Sequence, residues 1–266
     1  MTKEQFSQKE HLIISSPLSE SGRSNFDKIF RKSGDAPKTK QQNIPQMKAP
    51  ELVSVTSPVG DMSAEESIAY MARVSSPNQR TDGSEKLLLF LMQHGHWSPF
   101  SMVDMTVEIH TSRAIMAQVL RHYSFAFQEF SQRYSAIEEG VDWTHVEGRF
   151  KHVDGNRQGS SDVSIDSTAN MQTICGVAED EYNELLSDGI APESARMVMP
   201  LATPTRAYMK GSVRSWITYF WQRLDSHAQK EHRLMAEGIF DVFKAEFPVI
   251  AKLVLDYKSV VVKTNA

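Results

Sequence analysis

The fold is organised around residues 103–135, which read VDMTVEIHTSRAIMAQVLRHYSFAFQEFSQRYS. From Val103 to His110, apolar side chains alternate strictly with polar ones. This period of two predicts a β-strand with one buried face. Ser112 then stands at a helix-cap position, and the apolar spacing from Ala114 to Leu120 predicts the helix that it caps. The sequence therefore predicts a strand that leads directly into a helix.

Upstream of this unit, the sequence predicts one short strand and two helices. They are a strand at Leu52–Thr56, a helix from the capping box of Ser63 and Glu66 to about Arg73, and a helix from Glu85 to about His94 that Gly95 ends. The first of these elements places the start of the folded body near Glu51, so we expect one domain over residues 51–266.

Downstream of the unit, helices dominate. They are Ala169–Leu186, a short helix with Pro192 in its first turn, Val213–Leu224 capped by Ser212, and a helix to about Phe247 opened by a capping box of Ser226 and Gln229. The polar, glycine-containing segment 135–165 is expected to be a surface excursion. The predicted class is α/β in the α+β sense, with several long helices around a modest sheet.

Residues 1–50 differ in composition from the rest of the chain. They are rich in Ser, Lys, Gln and Pro, and their apolar runs are too short to bury a core. We therefore expect a disordered N-terminal arm. Its nine basic and five acidic residues could contact nucleic acid or a partner, but a solvated tail is the simpler interpretation.

Composition excludes several classes of protein. The chain has 29 basic and 33 acidic residues, a net charge of −4, which argues against a nucleic-acid coat protein. A single cysteine, Cys175, excludes an internal disulfide, a thiolate zinc site and an iron–sulfur cluster, and it favours a reducing, cytoplasmic compartment. No apolar run approaches the ~20 residues that cross a bilayer. The sequence also lacks GxSxG, Walker-type and GxGxxG motifs.

Two arginines, an amide and a hydroxyl lie between residues 118 and 133, and on one spot they would form a binding site. Gln118 and Arg121 are three residues apart and share a helix face. Ser131 and Arg133 are two apart and share one side of an extended chain. Such a set can bind a phosphate and hydrogen-bond a planar polar ring, because guanidinium donors are coplanar. The alternative is a solvated basic helix end, which the helix dipole also favours.

Further arginines lie among apolar residues in the C-terminal half. Arg196, Arg214 and Arg223 are costly to bury without partners, so either acidic side chains or an anionic ligand must neutralise them. His94 and His96 are two residues apart, but no carboxylate-supported metal spacing accompanies them. We therefore predict no metal site.

Five ordered blocks of the chain resemble the flavin-dependent thymidylate synthases. The family signature is an Arg-His-Arg triplet followed, after seven residues, by a serine. Here Arg121, His122 and Tyr123 are followed, after seven residues, by Ser131. The matching blocks are Ala72–Ser75, His94–Phe100, Arg121–Ser135, Ala195–Leu201 and Arg223–Gln229.

The resemblance implies an enzyme that converts dUMP to dTMP. Methylenetetrahydrofolate would be the carbon donor, and FAD reduced by NADPH would supply the reducing equivalents. The implied fold is α/β, with a central mixed sheet flanked by long helices. The implied assembly is a homotetramer whose active sites lie between subunits.

By motif position, the resemblance also implies two sets of binding residues. The dUMP contacts are Gln118, Arg121, Glu129, Ser131, Arg133, Arg196 and Arg223. The FAD contacts are Ser75, His96, Ser98, Arg121, His122, Tyr123, Glu129, Ser212, Arg214, Thr218 and His227. Arg223 falls where the family places the arginine that favours ionisation at N3 of uracil, a catalytic role. A cation at that edge stabilises an electron-rich ring in the transition state, so no cysteine nucleophile is needed.

The chain departs from the family pattern mainly on the flavin side. Tyr123 replaces the third signature arginine, Ser101 replaces a common glutamate, and Ser212 and Thr218 stand where asparagine is usual. Tyrosine can stack on FAD but cannot pair with a phosphate as arginine does, so we expect weaker or altered FAD binding. Two alternatives follow: a paralogue that modifies another pyrimidine nucleotide or adds a different one-carbon group, and a flavin-free nucleotide-binding scaffold.

Overall fold

A computed structural model describes residues 48–80, 83–137, 140–152 and 159–264, with side chains as far as residue 256. The strands are β1 Glu51–Val55, β2 Asp104–Ser112, β3 Phe125–Glu129, β4 Arg149–Lys151, β5 Ser160–Val163 and β6 Pro204–Ser212. The α-helices are α1 Ala64–Ala72, α2 Glu85–Gln93, α3 Arg113–Val119, α4 Ile165–Ser187, α5 Pro192–Ala195, α6 Val213–Arg223, α7 Lys230–Glu246 and α8 Pro248–Thr264. The expected arm 1–50 lies outside the described residues except for its last three.

A four-stranded sheet in the order β1-β2-β6-β3 forms the centre of the fold. The α/β class is confirmed, but every described pairing is antiparallel, so the expectation of a mixed sheet is wrong in that detail. Met105, Val107 and Ile109 of β2 are fully buried, as their alternation predicts. They pack in one core with the aromatic rings of α6 and α7.

Each of the two central strands ends in a serine that caps the next helix. Ser112 ends β2 and Ser212 ends β6, and each hydroxyl accepts the backbone N–H three residues later, at 3.4 and 3.2 Å. Because β2 and β6 are antiparallel, α3 and α6 begin at opposite ends of the ladder. The nine-residue ladder is about 27 Å long, and α3 and α6 together are also about 27 Å long. Their C-terminal ends therefore meet, and this meeting point positions the site described below.

Local signals in the sequence located most helix ends correctly. The capping box at α1 is confirmed, since Ser63 Oγ accepts Glu66 N at 3.1 Å and Ser63 N donates to the Glu66 carboxylate at 2.8 Å. Gly95 follows α2 with a φ of 69°, a left-handed conformation that glycine adopts without strain. Pro192 occupies the first turn of α5.

The predicted capping box at Ser226 is wrong. α7 begins at Lys230, and neither a Ser226 nor a Gln229 side chain caps it. Instead Asp225 organises the preceding turn, where its carboxylate accepts the backbone N–H of His227 at 2.9 Å and its carbonyl accepts that of Ala228. The carboxylate of Asp225 accepts the backbone N–H of His227 that a cap at Ser226 would leave to the helix, so the helix starts three residues later than expected.

The described residues of segment 135–165 are more ordered than a surface excursion. They include the β4–β5 hairpin, and Trp143 and Val146 are buried against Cys175 of α4 in a small second core. The extended chain expected at Ser131 and Arg133 is also wrong, because residues 131–135 form a turn. No helix in the described part of the chain combines the length and apolar character needed to cross a membrane.

Candidate functional site

A cleft of about 1320 Å³ opens where the C-terminal ends of α3 and α6 meet. Gln118 and Arg121 reach it from the end of α3, Arg223 from the end of α6, and His227 from the turn before α7. The β4–β5 hairpin forms the opposite wall. Four of the predicted site residues therefore share one cavity, which we call the large cleft.

The guanidinium of Arg223 is held by a neutral partner. Its Nε donates to His122 Nε2 at 3.0 Å. Burial and the nearby Arg223 cation lower the pKa of His122 to about 4, so this imidazole is uncharged at neutral pH. No carboxylate among the described residues forms an ion pair with Arg223 or Arg121, although both line the cleft. Their positive charge is therefore available to an anionic ligand.

Gln118 is fixed by contacts on both ends of its amide. Its Nε2 donates to Gln229 Oε1 at 2.6 Å, and its Oε1 lies 3.3 Å from His232 Nδ1. His232 in turn lies 3.2 Å from the Tyr219 hydroxyl. Neither Tyr219 nor His232 was predicted as a site residue, because a Tyr and a His at helical spacing among apolar residues are typical of a plain core.

An ion-pair cluster attaches the hairpin to the start of α7. Arg149 contacts Glu147 at 2.8 Å and Glu231 at 2.6 Å, and Lys230 contacts Glu147 at 2.7 Å. The hydrogen bonds from Lys230 and Arg149 lower the pKa of Glu147. The polar composition of this segment gave no indication of the cluster, since its partners lie about eighty residues apart in sequence.

The rest of the predicted dUMP set lies at the other end of β3. Glu129 accepts from Arg113 at 2.5 Å and from the Thr205 hydroxyl at 2.9 Å. Arg133 pairs with Glu193 at 3.1 Å with its side chain 56% exposed. Ser131 and Arg196 complete this group, and Arg196 Nε donates to the Glu193 carbonyl. The term distal group is used below for four residues: Glu129, Ser131, Arg133 and Arg196.

One chain does not bring the two groups together. Phe125 begins β3 and Glu129 ends it, so the strand spans about 13 Å between the distal group and His122, which lies three residues before the strand. The distal group does not line the large cleft. The predicted nucleotide set is thus divided into two halves within a single protomer.

A second, smaller cleft of about 480 Å³ contains three predicted flavin contacts. His96, Ser98 and Arg214 line it, together with the indole of Trp97. No described carboxylate forms an ion pair with Arg214. An aromatic wall, a hydroxyl and an uncompensated cation fit a cofactor that has both a ring and phosphates.

The remaining predicted flavin contacts lie outside this smaller cleft. The Ser212 hydroxyl is engaged as the cap of α6, and the Thr218 hydroxyl donates to the Arg214 carbonyl at 3.1 Å. Ser75 is exposed in the turn after α1, and the Tyr123 side chain is 94% exposed. An aromatic ring left in solvent by its own chain is free to contact a cofactor or another copy of the chain.

Comparison with known proteins gives a consistent result. The family model described as thymidylate synthase complementing protein matches residues 55–249, which include every predicted site residue. The flavin-dependent thymidylate synthase of Synechocystis is 50% identical over 207 residues, covering 76% of this chain and 93% of that protein. A probable flavin-dependent thymidylate synthase of Paramecium bursaria Chlorella virus 1 is 44% identical over 210 residues, covering 76% and 96%.

More distant relatives carry the same name. The flavin-dependent thymidylate synthase of Dictyostelium discoideum is 31% identical over 207 residues, covering 76% of this chain and 68% of that protein. The resemblance seen in the five sequence blocks is therefore confirmed over most of the chain. This chain belongs to the flavin-dependent thymidylate synthase family.

Proposed function

We propose that this protein catalyses the reductive methylation of dUMP. In the balanced reaction, dUMP, methylenetetrahydrofolate, NADPH and a proton give dTMP, tetrahydrofolate and NADP⁺. Family membership and the names of the relatives support thymidylate synthesis and flavin dependence. The choice of NADPH and of the folate rests on the family resemblance alone, and the cytoplasmic location stays a prediction.

The observation that carries this proposal is the state of Arg223. Arg223 lines the large cleft, and its guanidinium is hydrogen-bonded to a neutral imidazole and to no carboxylate of the described residues. A full positive charge at the N3–C4 edge of uracil stabilises negative charge in the ring, which makes C5 more nucleophilic. Gln118 and Arg121 beside it supply hydrogen-bond donors for the nucleotide.

The only cysteine of the chain supports activation without a thiol nucleophile. Cys175 is buried in the small second core against Trp143 and Val146, and it lines neither cleft. Burial raises the pKa of its thiol, which disfavours the nucleophilic thiolate. The chain's single thiol thus lies outside the cleft that Arg223 lines, which supports activation of the uracil by charge.

The smaller cleft fits the flavin. Arg214 would hold a phosphate, Ser98 would hydrogen-bond it, and Trp97 would pack against a ring. When bound, FAD supplies the reducing equivalents for the methyl group. The residues of this chain bind and orient the reactants and provide the charge that activates uracil.

We further propose that each active site uses two copies of the chain. The large cleft carries Gln118, Arg121 and Arg223, whereas the distal group lies beyond the other end of β3. A nucleotide that needs both halves must therefore take the distal group from a second protomer. The homotetramer expected from the family resemblance would provide such neighbours.

The test is NADPH oxidation coupled to dTMP formation under anaerobic conditions, with purified protein, FAD and methylenetetrahydrofolate. We expect turnover with dUMP, and Arg223→Ala should lower kcat by roughly 10²- to 10³-fold, as loss of a charge-stabilising donor does elsewhere. Lys252→Ala, which removes a cation paired with Glu85 on the far side of the core, is the matched control and should stay active.

The alternatives give different results in the same assay. A product from dCMP but not from dUMP would indicate a paralogue with another acceptor. Colourless protein that binds dUMP without turnover would indicate a flavin-free scaffold. Full activity of Arg223→Ala would remove the charge-activation role from Arg223.

A further inference from the structure

A buried hydrogen-bond relay lies directly under the large cleft. His232 of α7 and Tyr219 of α6 are both fully buried. His232 Nε2 lies 3.2 Å from the Tyr219 hydroxyl, and His232 Nδ1 lies 3.3 Å from Gln118 Oε1. The relay therefore connects the core to a side chain that lines the cleft.

The amide oxygen of Gln118, at one end of this relay, determines the direction of both hydrogen bonds. An amide oxygen only accepts, so His232 Nδ1 must carry the hydrogen that is donated to Gln118. In a neutral imidazole the other nitrogen is then an acceptor, so Nε2 accepts the single hydroxyl proton of Tyr219. Every proton in the sequence Tyr219 to His232 to Gln118 is thereby assigned.

Both buried groups keep this arrangement over the working pH range. Burial, Arg223 and His122 together lower the pKa of His232 to about 3. Burial raises the pKa of Tyr219. His232 therefore stays neutral and Tyr219 stays protonated near neutral pH, and neither changes its role as donor or acceptor.

The relay decides which face Gln118 presents to a ligand. A glutamine amide can turn over and exchange its donor and acceptor ends. Here Oε1 is held inward, so the amide nitrogen points along the cleft wall, where one of its two hydrogens is donated to Gln229 Oε1 at 2.6 Å. The second hydrogen is left for a ligand in the cleft, which Gln118 lines.

We infer that His232 and Tyr219 are positioning residues that lock Gln118 as a hydrogen-bond donor to an acceptor oxygen of the nucleotide. This inference rests on the proposed function, since the ligand is taken to be a pyrimidine monophosphate. The acceptor is a base carbonyl or a phosphoryl oxygen. A site that offers only a donor here favours a carbonyl over an amino group, because a buried donor without an acceptor is costly.

The test compares steady-state kinetics of two relay variants with the wild-type enzyme. His232→Leu removes both hydrogen bonds, and Tyr219→Phe removes one oxygen only, so at least the second should fold. We expect His232→Leu to raise the KM for dUMP about tenfold and Tyr219→Phe about threefold, with kcat within twofold and unchanged flavin content. Tyr182→Phe removes an equally buried hydroxyl, bonded to Ile137 N, outside both clefts, and should leave KM unchanged.

A double-mutant comparison separates positioning from general loosening of the core. In a Gln118→Ala background, His232→Leu should have no further effect on the KM for dUMP, because there is no amide left to orient. An equal rise in both backgrounds, or an unchanged KM in the single variants, overturns the inference. Repeating the measurement with deoxyuridine locates the acceptor: an undiminished effect assigns the base carbonyl, and a lost effect assigns the phosphate.

A spectroscopic readout keeps this inference separate from the proposed function. In protein labelled with ¹⁵N-histidine, His232 should be neutral and protonated on Nδ1, whether or not the protein makes dTMP. A proton on Nε2 overturns the relay. Absence of dTMP from wild-type protein, with the Nδ1 proton in place, overturns the proposed function and leaves the orientation of Gln118 standing.

Discussion

Acid should destabilise this protein through two histidines that resist protonation when folded. The pKa of His122 falls to about 4 and that of His232 to about 3, against about 6.5 in an unfolded chain. Between pH 6.5 and these lower pKa values, the two imidazoles are protonated in the unfolded state and neutral in the folded state. Stability therefore falls as the pH drops below about 6.5, and it is unaffected by these groups above that pH.

The size of the effect follows from the pKa differences. At pH 5.5 each histidine lowers the free energy of unfolding by about 1 kcal/mol, and at pH 4.5 by about 2 to 3 kcal/mol. Together they remove about 5 kcal/mol at pH 4.5, which is comparable to the whole stability of many domains. Arg223 contributes to the shift of both pKa values because its charge repels the added protons.

The assay is urea unfolding at pH 7.5, 5.5 and 4.5, with protein concentration held fixed because the proposed association of copies would contribute to stability. Relative to wild type, His232→Leu should gain about 1 kcal/mol in its free energy of unfolding on going from pH 7.5 to 5.5, and about 1 kcal/mol more by pH 4.5. Tyr182→Phe removes a buried hydroxyl and no histidine, so its free energy of unfolding should change with pH as that of wild type does. If the free energies of unfolding of wild type and His232→Leu change equally with pH, the conclusion that His232 is buried as a neutral imidazole is refuted.

Three further outcomes are expected. Tyr123→Arg, which restores the signature arginine, should tighten FAD binding as measured by equilibrium dialysis; an unchanged dissociation constant would contradict the flavin-side role. Glu179→Ala removes the carboxylate that accepts hydrogen bonds from Trp143 Nε1 and two backbone N–H groups. It should lower the free energy of unfolding in urea by about 3 kcal/mol. The control, Glu181→Ala at an exposed position, should lower it by under about 0.5 kcal/mol. Ser63→Ala should cost about 1 kcal/mol by loss of the α1 cap, and a change near zero would show that the cap does not contribute.

The parts of the fold that the sequence predicted are those determined locally. The alternation in β2 and the serine caps of α1, α3 and α6 depend on side chains within four residues of one another. Such signals are readable without knowing the partner segment. Where the local signal was ambiguous, as at Ser226, a competing carboxylate at Asp225 decided the outcome.

The elements that were missed depend on partners far away in sequence. β6 reads PTRAYMKGS, with a proline, a glycine and few strand-favouring residues, yet it pairs with β2 along nine residues. At Gly211 of β6, a Cβ would collide with the ring of Phe125 from β3, so the glycine is required by that neighbour. Neither fact is visible in the segment itself.

In the candidate site, too, the sequence predicted some residues and missed those whose partners are distant in sequence. Family motifs predicted Gln118, Arg121, Arg223 and His227 as site residues, and all four line the large cleft. The hairpin wall was missed because its ion pairs join α7 to a segment that reads as a polar loop. The separation of the distal group from the large cleft was not predicted, because motif order along the chain carries no information about distances in the folded protomer.

Subunit complementation tests the central claim most directly, since that claim is a nucleotide site completed by two chains. Arg223→Ala damages the large cleft, and Arg133→Ala damages the distal group, so each variant alone should be inactive. In a tetramer assembled at random from equal amounts of both, about a quarter of the sites combine two intact halves, and about a quarter of wild-type dTMP formation should return. If the mixture stays as inactive as its parents, while mixed assembly is verified by mass, both halves belong to one chain and the account is wrong.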